Sequence, residues 1–170
     1  SLTFSQSCPA TPGQDKKEPF LIPITMGLLD ENGVDMSLSL ADGDTQYTFE
    51  LTDAQETIVF EGLEAEPVPS LLRGFSAPVK LSYPYTNEQL LFLMQYDSDG
   101  FNRWDSGQSL SVNVLQGLIS DIDNHVALSL PDNYLAAFKS ILTDDSLDKS
   151  MICKLLMLPA ESYLLQLSEA

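Results

Sequence analysis

The sequence predicts a mainly β first half and a helical second half: a seven-stranded immunoglobulin-like β-sandwich followed by a truncated antiparallel α-helical array. Up to position 84, apolar residues recur at every second position in short runs separated by turn residues, which is typical of strands. From Thr86 onward they recur at helical spacing. The period changes within segment 67–81, which contains Pro67, Pro69 and Pro78. We therefore expect two domains, 1–84 and 85–170.

Segment 67–81 is expected to run extended along the edge of a sheet, because proline has no backbone N–H to donate to a ladder. The clearest strand covers positions 20–28, where alternate apolar residues should point one face at a core. Asn32-Gly33 follows and supplies the positive φ angles of a tight hairpin. The return strand alternates Val34, Met36, Leu38 and Leu40. Similar alternation predicts the other five strands at positions 2–6, 47–51, 58–60, 68–72 and 79–83.

Five helices are predicted in the second half. Thr86 and Gln89 form a capping-box pattern at the first helix, and Asp97-Ser98-Asp99-Gly100 ends it. The others are expected at 102–123, after 129–132, at 147–158 and from Ala160. The apolar stripe of the last is still running at Ala170, so we expect the array to be truncated. The stripes expected on the second and third helices are Trp104, Gln108, Ser111, Leu115, Leu118, Ile119 and Ile122, and Tyr134, Leu135, Phe138, Ile141 and Leu142.

Charge excludes two classes of partner. The net charge is −17, and the first 84 residues carry 13 acidic and 4 basic side chains against 12 and 4 in the rest. Such an evenly acidic chain is unsuited to neutralising phosphates, so we expect neither a nucleic-acid partner nor a membrane partner. No apolar run reaches the length of a membrane helix. Cys8 and Cys153 lie in opposite halves, and we expect both to be reduced and packed.

The sequence contains few residues that are candidates for catalysis or for binding a metal. A zinc site of the His-Glu-x-x-His type needs two imidazoles one helical turn apart, and this chain has only His125, which we expect near helix C-terminal carbonyls. Cys153 lies in a predicted helix and is not expected to be a nucleophile. Asp97-Ser98-Asp99-Gly100 begins like a calcium loop, but its glycine is two positions early and Gln108 replaces the bidentate glutamate. We expect it to break and cap helices.

The remaining polar candidates have structural interpretations. The acid pairs Asp144-Asp145 and Glu64/Glu66 are expected to be solvated loop charges. Trp104 is predicted to be a core residue. Arg73 and Arg103 are scarce cations in an acidic chain and are candidates for interdomain ion pairs, and we expect them to form structural salt bridges rather than to bind a ligand. We therefore assign no catalytic, cofactor-binding or metal residue.

Three segments carry a family resemblance. They are 67–81, which contains Phe75-Ser76-Ala77-Pro78-Val79-Lys80; 87–94; and 101–110, which contains Arg103-Trp104-Asp105. In this order they resemble the bacterial aminopeptidase N family of zinc metallopeptidases, in the region downstream of the catalytic domain. The resemblance runs over essentially the whole chain. Its His-Glu-x-x-His, downstream Glu ligand, Gly-x-Met-Glu-Asn motif and catalytic Tyr match nothing here.

The resemblance implies a scaffold without catalytic residues. The parent would remove N-terminal residues from peptides in the cytoplasm, with zinc in its catalytic domain activating a water. This piece would link that domain to the helical domain and would contact the rest of the helical domain. It would thereby hold the helical domain as a lid over the catalytic cleft of the parent. No cofactor would bind this chain itself.

Two alternative functions are also considered from the sequence. One is an independent adhesion or carbohydrate-binding sandwich with a helical appendage, although no sequon or secretion signal supports it. The other is a hydrolase that uses paired acids, for which a deep pocket lined by two carboxylates with raised pKa values would be required.

Overall fold

The computed structural model of the chain describes residues 1–38, 43–63 and 65–168. The chain divides into two compact units, Ser1–Ser82 and Tyr83–Ala170. The first unit contains the strands and the second contains the α-helices. Each unit has its own buried residues.

In the first unit, the described residues form two antiparallel sheets. Its strands are β1 (Leu2–Ser5), β2 (Ile22–Leu29), β3 (Tyr47–Leu51), β4 (Gln55–Ile58) and β5 (Val68–Leu71). One sheet pairs β1 with β4, and the other has the order β3-β2-β5. The β-rich character of this half is as predicted, but seven strands are not confirmed, because the described residues form five.

The strand β2 is central in its sheet and is buried on both faces. Six successive residues, from Ile24 to Leu29, are buried, although the alternating pattern predicted only one buried face. Both edges of β2 are paired as well, since Met26 lies opposite Tyr47 of β3 and Leu71 of β5. Among the described residues, strand β5 pairs only with β2, so Val68–Leu71 lie at a sheet edge as predicted. Segment 67–81 does not run extended throughout, because Arg73–Phe75 form a 3-10 helix.

The predicted return strand from Val34 to Leu40 is wrong for the residues described. The turn does form, with Gly33 at φ 80°, but only one isolated bridge joins Leu29 to Asp35. The residues of β2 from Ile22 to Met26 already pair with β3, so only the last residues of β2 remain to pair with a return strand. Leu40 lies outside the described residues.

Two further strand predictions need correction. Residues 79–83 form no strand, and Val79 and Leu81 are each 38% exposed, so the alternation there faces no partner sheet. The fourth strand ends at Ile58 rather than reaching Phe60. Between the two sheets of the first unit, the rings of Phe4 and Phe49 lie 5.7 Å apart, which joins β1 to β3 through an aromatic contact.

The described residues of the second unit, 83–168, form five α-helices, as predicted. They are α1 (Asn87–Tyr96), α2 (Gly100–Asp123), α3 (Asp132–Leu142), α4 (Lys149–Leu155) and α5 (Glu161–Ser168). The helix α4 is shorter than the predicted 147–158, and its N-cap is Asp148, whose carboxylate accepts a hydrogen bond from the N–H of Met151. None of the helices in the described ranges is long and apolar enough to cross a membrane.

The apolar stripe predicted on α2 is misplaced. The residues that α2 buries are mostly small, and Ile119 and Ile122 are 49% and 56% exposed. The ten-residue α1 is less than half as long as the 24-residue α2 that it packs against, so it cannot cover the C-terminal part of α2. The buried residues of α2 are Asn102, Ser106, Gly107, Leu110 and Ser111.

The stripe on α3 is narrower than predicted. Leu135 and Leu142 are exposed, whereas Tyr134, Ala137 and Ile141 are buried. Two of these buried side chains, Tyr134 and Ile141, join the core cluster of this unit. The buried cluster of the second unit consists of Leu90, Met94, Leu110, Tyr134, Ile141 and Leu155.

Replacing Thr86 by alanine is expected to destabilise the second unit by about 1 kcal/mol. The hydroxyl of Thr86 accepts the N–H of Gln89, and the side chain of Gln89 accepts the N–H of Thr86, so α1 begins with a complete capping box. Urea unfolding followed by the fluorescence of Trp104, the single tryptophan, measures the loss. Thr86→Ser keeps the hydroxyl and should stay close to the native value; an equal loss in both variants would contradict the cap.

The turn between β3 and β4 is expected to weaken in acid. The carboxylate of Glu56 accepts the backbone N–H groups of Asp53 and Thr52, and these bonds hold the pKa of Glu56 below its usual value. A lowered pKa in the folded state means that this stabilisation is complete above the unfolded pKa, about 4.3, and is lost as pH falls through the folded value. The Glu56→Gln variant should therefore show a flatter fall in melting temperature below about pH 4.3. Glu61→Gln, which removes the same charge nearby, should keep the native pH profile.

Candidate functional site

The described residues offer no metal centre. Within 1–38, 43–63 and 65–168, no three His, Cys, Asp or Glu side chains are grouped so that they could hold a metal ion. His125 is exposed at the end of α2, where its backbone takes φ 57° and its N–H donates to the carbonyl of Ile122. The residue therefore closes a helix, which is where the sequence placed it.

The segment Asp97-Ser98-Asp99-Gly100 caps helices, as predicted. A carboxylate oxygen of Asp97 accepts the N–H of Asp99 at 2.9 Å, and one of Asp99 accepts the N–H of Asn102 at the same distance. Asp99 is thereby the N-cap of α2. These carboxylates satisfy backbone donors that a helix start leaves open.

Neither cysteine is packed, so that expectation is wrong. Cys8 and Cys153 are free thiols and both are exposed. Cys153 does lie in the fourth helix, but on its solvent side, while Leu155 two positions later is buried. The helical periodicity around Cys153 did not show which of these neighbouring positions faces the core.

The acid pairs behave as loop charges where they are described. Asp144 accepts the N–H and the hydroxyl of Ser146, at 2.8 and 2.5 Å. The hydroxyl contributes most to holding the pKa of Asp144 below its usual value. This is a local turn in which the carboxylate orders its own loop. Glu64 lies outside the described residues, so the expectation that Glu64 and Glu66 are solvated loop charges stays a prediction for that pair.

The most elaborate polar arrangement of the first unit surrounds Arg73. Its guanidinium binds both oxygens of Asp35, at 2.6 and 3.1 Å, and its Nε donates to the hydroxyl of Ser70 at 2.8 Å. Arg73 is only 3% exposed. A fork of this kind satisfies planar donors with planar acceptors, which makes the buried charges tolerable. The sequence predicted a structural salt bridge for Arg73, and this pair lies within the first unit.

Sequence reasoning missed the surroundings of this ion pair. A Cβ added to Gly27 would lie 2.3 Å from Cζ of Arg73, so the guanidinium rests on the bare backbone of β2. Beside it, Leu72 and Phe75 adopt φ 57° and 53°, unusual values for residues other than glycine. The signal that could have found the contact was a glycine inside an otherwise apolar strand, which often marks a close approach.

A salt bridge was predicted for Arg103, but the hydrogen bonds of its guanidinium go to backbone carbonyls. Its guanidinium donates to the carbonyl oxygens of Met94 and Gln95, at 3.1 and 2.7 Å, near the C-terminal end of α1. Burial lowers the pKa of Arg103, although the nearby charges of Asp144 and Asp97 oppose that shift. The side chain therefore satisfies carbonyls that the end of α1 leaves without a helical partner.

A groove of about 550 Å³ lies in the second unit between α2 and the region of α5. The side chain of Gln108, which lines this groove, donates a hydrogen bond to the carbonyl of Met157 at 2.7 Å. Asp105 contributes the one carboxylate among its lining residues, so the groove does not provide the two acids that a hydrolase would need. Trp104, predicted as core, is half-buried, packs against the core cluster and also lines this groove. The apolar and aromatic residues that line the groove include Trp104, Val112, Pro159, Tyr163 and Leu167.

Comparison with protein families divides the chain at nearly the same place as the structure. Residues 1–84 match a family described as a domain of unknown function with an Ig-like fold (DUF3458). Residues 87–170 match a family described as a domain of unknown function with ARM repeats (DUF3458_C). Together the two matches account for nearly the whole sequence.

The relatives are considerably longer than this chain. Aminopeptidase N of Escherichia coli strain K12 is 36% identical over 98% of the chain, and this covers 19% of the relative. Aminopeptidase N of Haemophilus influenzae is 34% identical over 94% of the chain and 18% of the relative. The chain thus spans about a fifth of the curated relatives it matches.

A solved structure has a similar fold. The crystal structure of Legionella pneumophila aminopeptidase A in complex with aspartic acid superposes with a TM-score of 0.69 at 33% identity. The match covers 85% of this chain and 16% of that one. At this identity the likeness concerns the sequence as well as the fold.

Proposed function

Because the chain belongs to the aminopeptidase N family, we propose that its two domains, 1–84 and 85–170, are the structural link of a zinc-dependent aminopeptidase that removes N-terminal residues from peptides. The coarser statement, that these are non-catalytic domains of an aminopeptidase, follows from the relatives. The proposal adds the zinc, the linking role and the peptide substrates. The observation that carries it is the match of 98% of the chain to a fifth of an aminopeptidase.

In this proposal the chemistry belongs to other parts of the parent. The catalytic domain would hold the zinc, since the described residues here provide no suitable group of ligands. This chain would contact that domain and the rest of the helical domain, and would hold the latter over the cleft. We place the parent in the cytoplasm, without a nucleic-acid or membrane partner, on the strength of the family resemblance and the charge of −17.

A domain exchange tests this role. The matching segment of the Escherichia coli relative is replaced by this chain, and a second variant has the same segment deleted. The exchange should retain hydrolysis of aminoacyl anilides, whereas the deletion should lose it. An exchange variant that is soluble and folded by circular dichroism, yet as inactive as the deletion, would contradict the proposal. So would hydrolysis by the purified chain alone that persists through further purification.

A further inference from the structure

The turn after β2 contains the only Asn-Gly pair of the sequence. Asn32 is exposed, and Gly33 has φ 80°. Glycine carries no Cβ, so its backbone nitrogen is the least hindered nucleophile that can follow an asparagine. The other asparagines lie in helices or at their ends and precede larger residues; they are Asn87, Asn102, Asn113, Asn124 and Asn133.

We propose that Asn32 is a site of spontaneous deamidation, with water as the co-reactant, and that its isoaspartate product loosens the buried Asp35–Arg73 ion pair. The nitrogen of Gly33 forms a bond to Cγ of Asn32 and releases its proton to solvent. The Cγ–Nδ2 bond breaks, and the amide nitrogen leaves as ammonia after taking a proton from solvent. Water then opens the five-membered imide to aspartate or isoaspartate, with no change of oxidation state.

The structure shows what must open before this attack. The N–H of Gly33 donates to the carbonyl of Asp30 at 3.0 Å, and the carboxylate of Asp30 accepts the N–H groups of Asn32 and Val34, each at 2.9 Å. These hydrogen bonds all lie within one turn. Asp30 is half-buried, whereas Asn32 and Val34 are exposed. A turn with so little buried surface opens locally without unfolding the sheet, which frees the nitrogen.

The consequence for the ion pair follows from the short distance along the chain. Asp35 is three residues beyond Asn32, and its bridge to Leu29 closes the turn. Isoaspartate adds a methylene to the backbone between these two fixed points. The Asp35 carboxylate, held at 2.6 Å from the guanidinium of Arg73, must then shift or the bridge must break. Ordinary aspartate at position 32 adds a charge but keeps the backbone length.

Site selectivity is tested by incubating the intact chain at mildly alkaline pH and mapping its peptides by mass spectrometry. Asn32 is expected to lose ammonia several-fold faster than any of the five helical asparagines, and a methyltransferase specific for isoaspartate should label the same peptide. In the Asn32→Gln variant this fast reaction should disappear. Loss of ammonia from Asn32 at the rate of the helical asparagines would overturn the proposal.

The effect on the ion pair is tested on the separated products. Anion exchange separates the deamidated chains from the native chain, reversed-phase chromatography of their peptides gives the share of isoaspartate at position 32 in each fraction, and Asn32→Asp supplies the charge-matched control. The isoaspartate form should melt several degrees below both, and the Nε proton of Arg73 should exchange faster with solvent. In an Asp35→Asn background the additional loss should shrink. Equal melting temperatures and equal exchange in the isoaspartate form and in Asn32→Asp would overturn the coupling.

Discussion

Replacing Asp35 by alanine is expected to lower the free energy of unfolding of the first unit by about 3–5 kcal/mol. The guanidinium of Arg73 is 3% exposed. The carboxylate of Asp35 is its counterion, and both Asp35 oxygens accept hydrogen bonds from it. Removing the carboxylate leaves a buried cation without its counterion, and desolvation of that cation is what makes the loss large. Urea unfolding followed by the β-sheet signal in circular dichroism measures it.

The control is the surface pair Lys16–Glu18. Its atoms are 3.8 Å apart and its side chains are 89% and 83% exposed, so Glu18→Gln should change stability by less than about 1 kcal/mol. A double variant separates charge from packing: Arg73→Leu together with Asp35→Leu removes both charges and should recover part of the loss. If Asp35→Ala were as mild as Glu18→Gln, the buried pair would not be stabilising the first unit.

Replacing Met94 by alanine is expected to destabilise the second unit by about 2–5 kcal/mol. Met94 is fully buried in the cluster that joins α1 to α2, and its side chain lies against Gly107, where an added Cβ would be 3.3 Å away. Truncation removes apolar burial and leaves a cavity between two helices that are already close. Chemical unfolding followed by Trp104 fluorescence reports on this unit.

Met157 provides the matched comparison for Met94. Its side chain is 62% exposed, so Met157→Ala should change the unfolding free energy by less than about 0.5 kcal/mol. Gly107→Ala probes the same contact from the other side, because the added methyl group requires the Met94 side chain to move by a few tenths of an ångström. A small effect of Met94→Ala, similar to that of Met157→Ala, would mean that this cluster does not support the second unit.

Local signals in the sequence determined much of this protein. The prolines of segment 67–81 indicated an edge strand, and β5 is one among the described residues. Thr86 and Gln89 determined the start of α1, and Asp99 that of α2, because a cap is formed by residues within one helical turn. The family resemblance also rested on sequence alone. The sequence has a single histidine, which by itself excludes a zinc site of the two-histidine type.

Tertiary structure alone decided which faces are buried and which charges meet. The alternation in β2 did not reveal that both faces are covered, and the stripe on α2 could not show that α1 covers only part of its length. Arg73 and Asp35 are 38 residues apart, and only the fold brings them to 2.6 Å over the bare backbone of Gly27. Periodicity records the chemistry along one element, whereas burial depends on the neighbouring elements, whose positions arise from long-range packing.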